Sequence, residues 1–391
     1  MQNFISKYLG CDQASLEIMG TNPYDKKIRK ASALTQNSNT VVTGQQTGLF
    51  LGPVFLLYKI ASAIAVAHAL SQETGRTIRP LLWVQSEDHD FDEIRSVKVL
   101  NQQNQVVTLE LAQRLGQPSV KYQVLGDEVT ELIDALAANI SHLPHAQFAL
   151  ELIQRHYLAG NSIADAFSST LKDLYQDQAL DFFDPRDFSN REIKTSIAAI
   201  YSDAFSYSEE FSHLALMQAE AMRGVGLEPQ VRIRSGSPLF FIHPEGVAGN
   251  RYRVERAGSN YRFLGNNKLK KISQSELAEF IRNSPEQVSA SALLRPLIQD
   301  TILKPACYIA GPSELIYLAQ ITPLYQKLAL QRSMPVLRNS FYCPEIKGFE
   351  AESQERELAA IYFLAKYGKS FLERILSLSN PFETELKIKN L

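Results

Sequence analysis

TVVTGQQTGLFLGPVFLLYKI (residues 40–60) and RPLLWVQSEDHDFDEI (79–94) decide the fold between them. TVV reads as a short strand and GQQTGLFLGP as a glycine-spaced turn. The apolar run after Pro53 predicts a helix, with Pro53 in its first turn, where a missing N–H costs nothing. That helix is apolar nearly all round, so it should be buried on more than one side. RPLLWV is short, apolar and proline-led, as an interior parallel strand should be. Strand, helix and strand make a βαβ unit. Two polar constellations then stand at the carboxyl ends of two neighbouring parallel strands, where open α/β sheets bind ligands.

The first constellation is the turn. Gly44, Gly48 and Gly52 allow close backbone approach and positive φ, and Gln45 and Gln46 add amide groups. The helix that follows would favour an anion at its N-terminus; Lys59 on that helix either snorkels to the surface or pairs with an acid, or reaches the anion. The spacing matches neither the phosphate-binding loop nor the dinucleotide fingerprint. The second constellation is SEDHDFDEI. Glu87, Asp88, Asp90, Asp92 and Glu93 place five carboxylates within seven residues around His89. Such a patch attracts an ammonium group or a divalent metal and can supply a general base. Glu93 stands where a calcium loop needs glycine. One histidine without a nearby cysteine is no zinc signature, so no metal site is assigned. Farther along, Arg295 and Gln299 share a helix face. GPSELIY (311–317) reads as a turn into a helix, with Ser313 as cap and Glu314 in the first turn.

The chain has 391 residues and a net charge of −2. It is long enough for two or three lobes, and its charge does not suggest a nucleic-acid or anionic-membrane partner. The three cysteines, Cys11, Cys307 and Cys343, match no disulfide or metal framework. They read as reduced thiols of a cytoplasmic protein. MQNFISKYLGCDQ has no secretory-signal pattern. Residues 49–70 are long enough to span a bilayer. Lys59 at their centre would cost about 2.5–3.5 kcal/mol there, and Gly52-Pro53 breaks the start, so a buried core helix is expected.

The expected architecture is α/β. Residues 1–110 form the first half of a parallel-sheet core, with 1–39 helical and polar. Residues 111–225 form a mainly helical insertion. Residues 226–345 carry a hairpin in PQVRIRSGSPLFFI (229–242) and the second half of the core. Residues 346–391 are a helical extension, with one helix from Ala351 to Leu376.

The blocks VVTGQQTGLFLGPVFLLYKI, PLLWVQSEDHDFDEI, YLAGNSIADAF, PQVRIRSGSPLFFI, LLRPLIQDTILKPACYIAGPSELIYLAQITPLY and MPVLRNS, in this order, resemble the bacillithiol biosynthesis cysteine-adding enzymes, the BshC family. The resemblance spans about residues 41–340. It implies a Rossmann-like core interrupted by connecting segments. It also implies a ligase joining cysteine, through its carboxyl group, to the amine of glucosaminyl-malate, giving bacillithiol. Amide formation from a free acid needs activation, so ATP or another nucleotide is expected. The expected catalytic residues are Asp88, His89 and Asp90. Gly44, Gln45, Gln46, Gly48, Gly52, Lys59, Glu87, Glu93, Arg295, Gln299, Gly311 and Glu314 are expected to bind substrate or nucleotide. Family members continue into a dimerising coiled coil, and this sequence stops about where that coil begins. Lys304 stands where an apolar residue is expected. Two alternatives remain open: a metal-dependent hydrolase or nucleotidyl-transfer enzyme, and a non-catalytic binding paralogue.

Overall fold

The computed structural model describes residues 38–379, apart from Leu115, Gln117, Asn266, Asn267 and Glu345. The helical lead expected over residues 1–39 and the end of the chain past residue 379 fall almost wholly outside the described residues. The chain divides into two compact units. The first holds Asn39–Leu115, Ser119–Pro185 and, to the end of the described residues, Arg338–Ser379. The second holds Arg186–Leu337, with Ser38 and Gly116–Pro118. The helical stretch at 111–225 is shared out between them.

Along the chain, the first unit runs β1 (Thr40–Gln45), α1 (Phe55–Thr74), β2 (Arg79–Val84), α2 (Phe91–Ile94), β3 (Ser96–Leu100), β4 (Val106–Glu110), α3 (Glu128–Ile140), α4 (Ala146–His156), α5 (Ile163–Leu174) and β5 (Asp181–Phe183). β1 lies parallel to β2, from Thr40 opposite Arg79 to Gln45 opposite Val84. β2 lies parallel to β5, with Trp83 opposite Phe183. The strands after GQQTG and before SEDHD are therefore hydrogen-bonded neighbours ending at one level. Their apolar runs suit this interior position: Val41, Val42, Leu82 and Trp83 are all at most 1% exposed. Trp83 stacks on Phe183 with ring centroids 4.6 Å apart.

α1 is the expected core helix, starting at Phe55 rather than at Pro53. It is the one helix among the described residues long and apolar enough to cross a membrane, and 72% of that window is buried inside the fold. Leu56, Leu57 and Ile60 are fully buried, each contributing about 1.5–3 kcal/mol.

The second unit runs α6 (Arg191–Ser206), α7 (Ser208–Arg223), β6 (Phe240–Ile242), β7 (Tyr252–Ala257), β8 (Asn260–Gly265), β9 (Lys268–Ser273), α8 (Gln274–Asn283), β10 (Val288–Ala290), α9 (Arg295–Leu303), β11 (Cys307–Ala310), α10 (Pro312–Gln320), α11 (Thr322–Lys327) and β12 (Met334–Leu337). β10, β6, β7, β8 and β9 form an antiparallel sheet in that order, and β11 lies parallel to β12. VRIR (231–234) is not a strand. Its alternating residues are exposed and half-buried, so no face is buried enough to hold it in a sheet; the pairing begins at Phe240. Lys304 ends α9 in the left-handed region, at φ 43°. It is exposed there, so a charge is tolerated.

The chain then returns to the first unit through α12 (Ala351–Glu357), α13 (Ala360–Tyr367) and α14 (Lys369–Leu378). The single helix expected over 351–376 is broken twice. Leu358 and Ala359 are extended because their backbone pairs elsewhere: Leu358 O accepts Val54 N–H at 2.9 Å, and Ala359 N–H donates to Lys98 O at 2.9 Å. Gly368, at φ 66°, makes the second break.

Candidate active site

The glycine turn and the acidic cluster meet at the carboxyl ends of β1 and β2. Gln46 Nε2 donates to Asp88 Oδ2 and to Glu93 Oε2, both at 2.7 Å. One amide nitrogen thus bridges two carboxylates that lie more than forty positions away in sequence. Asp88 Oδ1 accepts His89 N–H at 2.7 Å and lies 3.5 Å from His89 Nδ1. Asp88 and His89 are about one-quarter exposed at their side chains, so the pair is held yet reachable. The backbone behind it is clamped, since Val120 N–H donates to Asp88 O at 2.7 Å and Lys121 N–H to Ser86 O at 3.0 Å.

The five carboxylates do not form one patch. Asp88 and Glu93 face Gln46. Asp92 turns to Arg95 at 3.1 Å. Glu87 is buried, and Asp90 is exposed at the start of α2, where its side chain caps nothing. Helical geometry in α2 separates Asp92 from Glu93, because adjacent residues on a helix point in different directions. Among the described residues, no three His, Cys, Asp or Glu side chains are grouped as metal ligands.

The turn differs from the expected anion cradle. Leu49, Phe50 and Leu51 are at most 1% exposed. Gly52 N–H donates to Leu49 O at 2.8 Å, and Leu51 N–H to the Tyr157 hydroxyl at 3.1 Å. That hydroxyl donates in turn to Gly48 O at 2.9 Å; burial pushes the phenol pKa up and keeps it a neutral donor. Ahead of α1, Val54 N–H is held by Leu358 O. These donors are turned inward and do not face a ligand. Of the three glycines, Gly52 alone has positive φ, at 65°. Gly48 serves close approach, since a Cβ there would sit 3.0 Å from Gly52 Cα. Phe50 and Leu51 are also left-handed, at φ 44° and 75°, which costs about 1–3 kcal/mol each. Full burial and an edge-on contact of Phe50 with Tyr157 (5.2 Å) offset that cost. Lys59 is 2% exposed and donates from Nζ to Gly44 O. It braces the end of β1. Gln45, also buried, accepts Gln85 N–H through its backbone at 2.9 Å and so ties the two strand ends together.

Sequence reasoning missed Asp184 and Lys121. Asp184 follows β5, so a third parallel strand also ends in a polar residue. It accepts the Ser86 hydroxyl and lies 3.0 Å from Lys121 Nζ, which also meets Asp165 at 2.6 Å. Burial works against the Lys121 charge, but the two carboxylates outweigh it and raise its pKa. The available signal was Phe182 and Phe183 followed by Asp184, an apolar pair in a three-residue strand too short to register.

The remaining predicted residues lie in the second unit. Arg295 and Gln299 stand four apart on α9, both buried. The residue ahead of α10 is Gly311, not Ser313. Its N–H donates to Glu314 Oε2 at 2.7 Å, and Glu314 Oε1 accepts the Tyr308 hydroxyl at 2.7 Å. Arg295 donates from Nη2 to the Tyr317 hydroxyl.

The family description "Bacillithiol biosynthesis BshC, N-terminal Rossmann-like domain" matches residues 13–339. Three similar relatives carry the name "Putative cysteine ligase BshC". The one from Heliobacterium modesticaldum is 29% identical over 88% of this chain and 61% of its own length. Those from Salinibacter ruber and Koribacter versatilis are each 30% identical, over 77% and 82% of this chain and 53% and 57% of their own lengths. The chain spans somewhat more than half the length of these relatives. With a Rossmann-like α/β architecture and a family match over most of its residues, the chain belongs to the BshC family.

Proposed function

We propose that this chain carries the amine-activating site of an amide-forming ligase. It joins the carboxyl group of cysteine to the amine of glucosaminyl-malate and yields bacillithiol. The observation that carries the reading is the Gln46 amide between Asp88 and Glu93, beside His89. An amine arrives as an ammonium ion. Asp88 and Glu93 attract it, and the transfer of one N–H proton to the Asp88–His89 pair leaves the lone pair that attacks the activated carboxyl carbon, forming the C–N bond as the C–O bond to the activating phosphate or AMP breaks and that group departs. Gln46 fixes both carboxylates so that neither must reorganise when the charge moves. Asp90 and Glu87 lie on either side of the pair in sequence. Lys59 and Gln45 act indirectly, by holding the strand ends in place.

Amide formation from a free acid needs an activated acyl group, so ATP or a related nucleotide enters as co-substrate. The Leu51 and Gly52 N–H groups of the turn are already paired within the fold, so neither is assigned to the triphosphate. Cysteine and the amine are the proposed small-molecule partners, and the cytoplasm is the proposed location.

The test is incubation with cysteine, glucosaminyl-malate and ATP, with mass detection of the thiol product and of AMP or ADP. Wild type is expected to form product, and His89→Ala to form none while keeping its circular dichroism spectrum. A fully active His89→Ala enzyme removes His89 from the reaction.

A further inference from the structure

The second unit contains a buried polar cluster that its own hydrogen bonds leave incomplete. Arg295 is 6% exposed and Gln299 is 1% exposed, on one face of α9. Arg295 Nη2 donates to the Tyr317 hydroxyl, but Nη1 has no partner, and neither has Gln299 Oε1. Glu314 stands nearby, accepting Tyr308 and Tyr317 hydroxyls at Oε1 and Gly311 N–H at Oε2. Helix capping explains Glu314. It does not explain a buried guanidinium beside two tyrosines. Burial opposes the Arg295 charge, yet the phenol oxygens and Glu314 outweigh it and raise its pKa, so the cation stays. An unpaired N–H of a buried cation and an unpaired buried carbonyl each carry a desolvation cost that a matching ligand group would remove. Glu314 and Tyr317 are only half-buried.

We infer that this cluster is a binding site for a zwitterionic α-amino acid, its carboxylate on Arg295 Nη1 and its ammonium on Gln299 Oε1 and the Glu314 carboxylate. Arg295 and Gln299 lie within one helical turn, and the donor and acceptor they leave open call for an anion and a cation in one ligand. An ionised dicarboxylate has no donor and would leave Gln299 Oε1 unsatisfied. Naming cysteine as that amino acid rests on the proposed function.

The experiment is calorimetric titration of the full chain with L-cysteine under reductant, with and without a non-hydrolysable ATP analogue. 3-Mercaptopropionate, which lacks the ammonium, and cysteamine, which lacks the carboxylate, serve as comparison ligands. Wild type is expected to bind cysteine more tightly than either. Arg295→Met should weaken cysteine by roughly 10–100-fold. Gln299→Leu, the safer variant for folding, should erase the preference for cysteine over 3-mercaptopropionate. Unchanged cysteine affinity in folded Gln299→Leu, or no cysteine binding by wild type in either condition, overturns the inference. Product formation with a cysteine KM unmoved by Gln299→Leu defeats the inference and spares the ligase reading. Selective cysteine binding without product does the reverse.

Discussion

Asp88→Asn is expected to lower kcat by about 100- to 10,000-fold, the range for loss of a positioned general base or its partner. The side chain keeps its size, but Asn has one oxygen where Asp88 uses two, so only one of Gln46 and the His89 N–H keeps its acceptor. What disappears is the negative charge that, in the proposed reaction, draws in the ammonium and stabilises the proton on the Asp88–His89 pair. Asp92→Asn is the internal control. Asp92 is turned to Arg95 at the surface, where an ion pair contributes about 0–1 kcal/mol, so its kcat should stay close to wild type. Stopped-flow or quenched mass detection of product reads both. Equal loss in the two variants would mean that the cluster acts through bulk charge alone.

The second large effect concerns stability. Arg338 and Glu355 form a paired, buried contact, 2.5 Å from Nη2 to Oε1 and 2.9 Å from Nη1 to Oε2, with side chains 4% and 7% exposed. Arg338 Nη1 also donates to Asn339 O at 3.0 Å. This pair fastens the returning segment whose Leu358 and Ala359 clamp the start of α1 and β3. Arg338→Ala leaves the Glu355 carboxylate buried and unpaired, and should destabilise the first unit by about 3–5 kcal/mol. The double replacement Arg338→Met with Glu355→Leu should recover most of that loss, because no charge is left to desolvate. Trp83 is the sole tryptophan of the chain and lies buried in β2 of this unit, so its fluorescence in urea follows the relevant transition. A change below about 1 kcal/mol for Arg338→Ala would show that water reaches Glu355.

The sequence was most informative where pattern and burial agree. β1, α1 and β2 are long apolar runs with turn residues between them, and the parallel register follows from one crossover. The helical segments LIDALAANI, FALELIQRHY and IADAFSSTLKDL show clear 3.6 periodicity, and each is a helix of the first unit. Legibility failed where tertiary pairing outweighs local propensity. Leu358 and Ala359 sit in a good helical pattern, yet their backbone groups pair with Val54 and Lys98. VRIR alternates like a strand but has no buried face. In the candidate site, charge composition located Asp88 and Glu93 but could not say which carboxylates face inward. That depends on α2 and on Gln46, a residue whose type alone carries little signal. Asp184 was hidden by the shortness of β5. The glycines suggested an anion cradle, but Tyr157, contributed from more than one hundred positions away, turns that turn inward.

Whether the turn after β1 and the cluster after β2 form one working site is read from a double-mutant cycle. kcat/KM for the amine substrate is measured in wild type, Gln46→Ala, Asp88→Asn and the combined variant. A shared site predicts strong non-additivity, with a coupling of about 0.5–3 kcal/mol, because removing Gln46 releases the same carboxylate that Asp88→Asn neutralises. Effects that add within about 0.5 kcal/mol would contradict it and leave two independent segments that only happen to be neighbours.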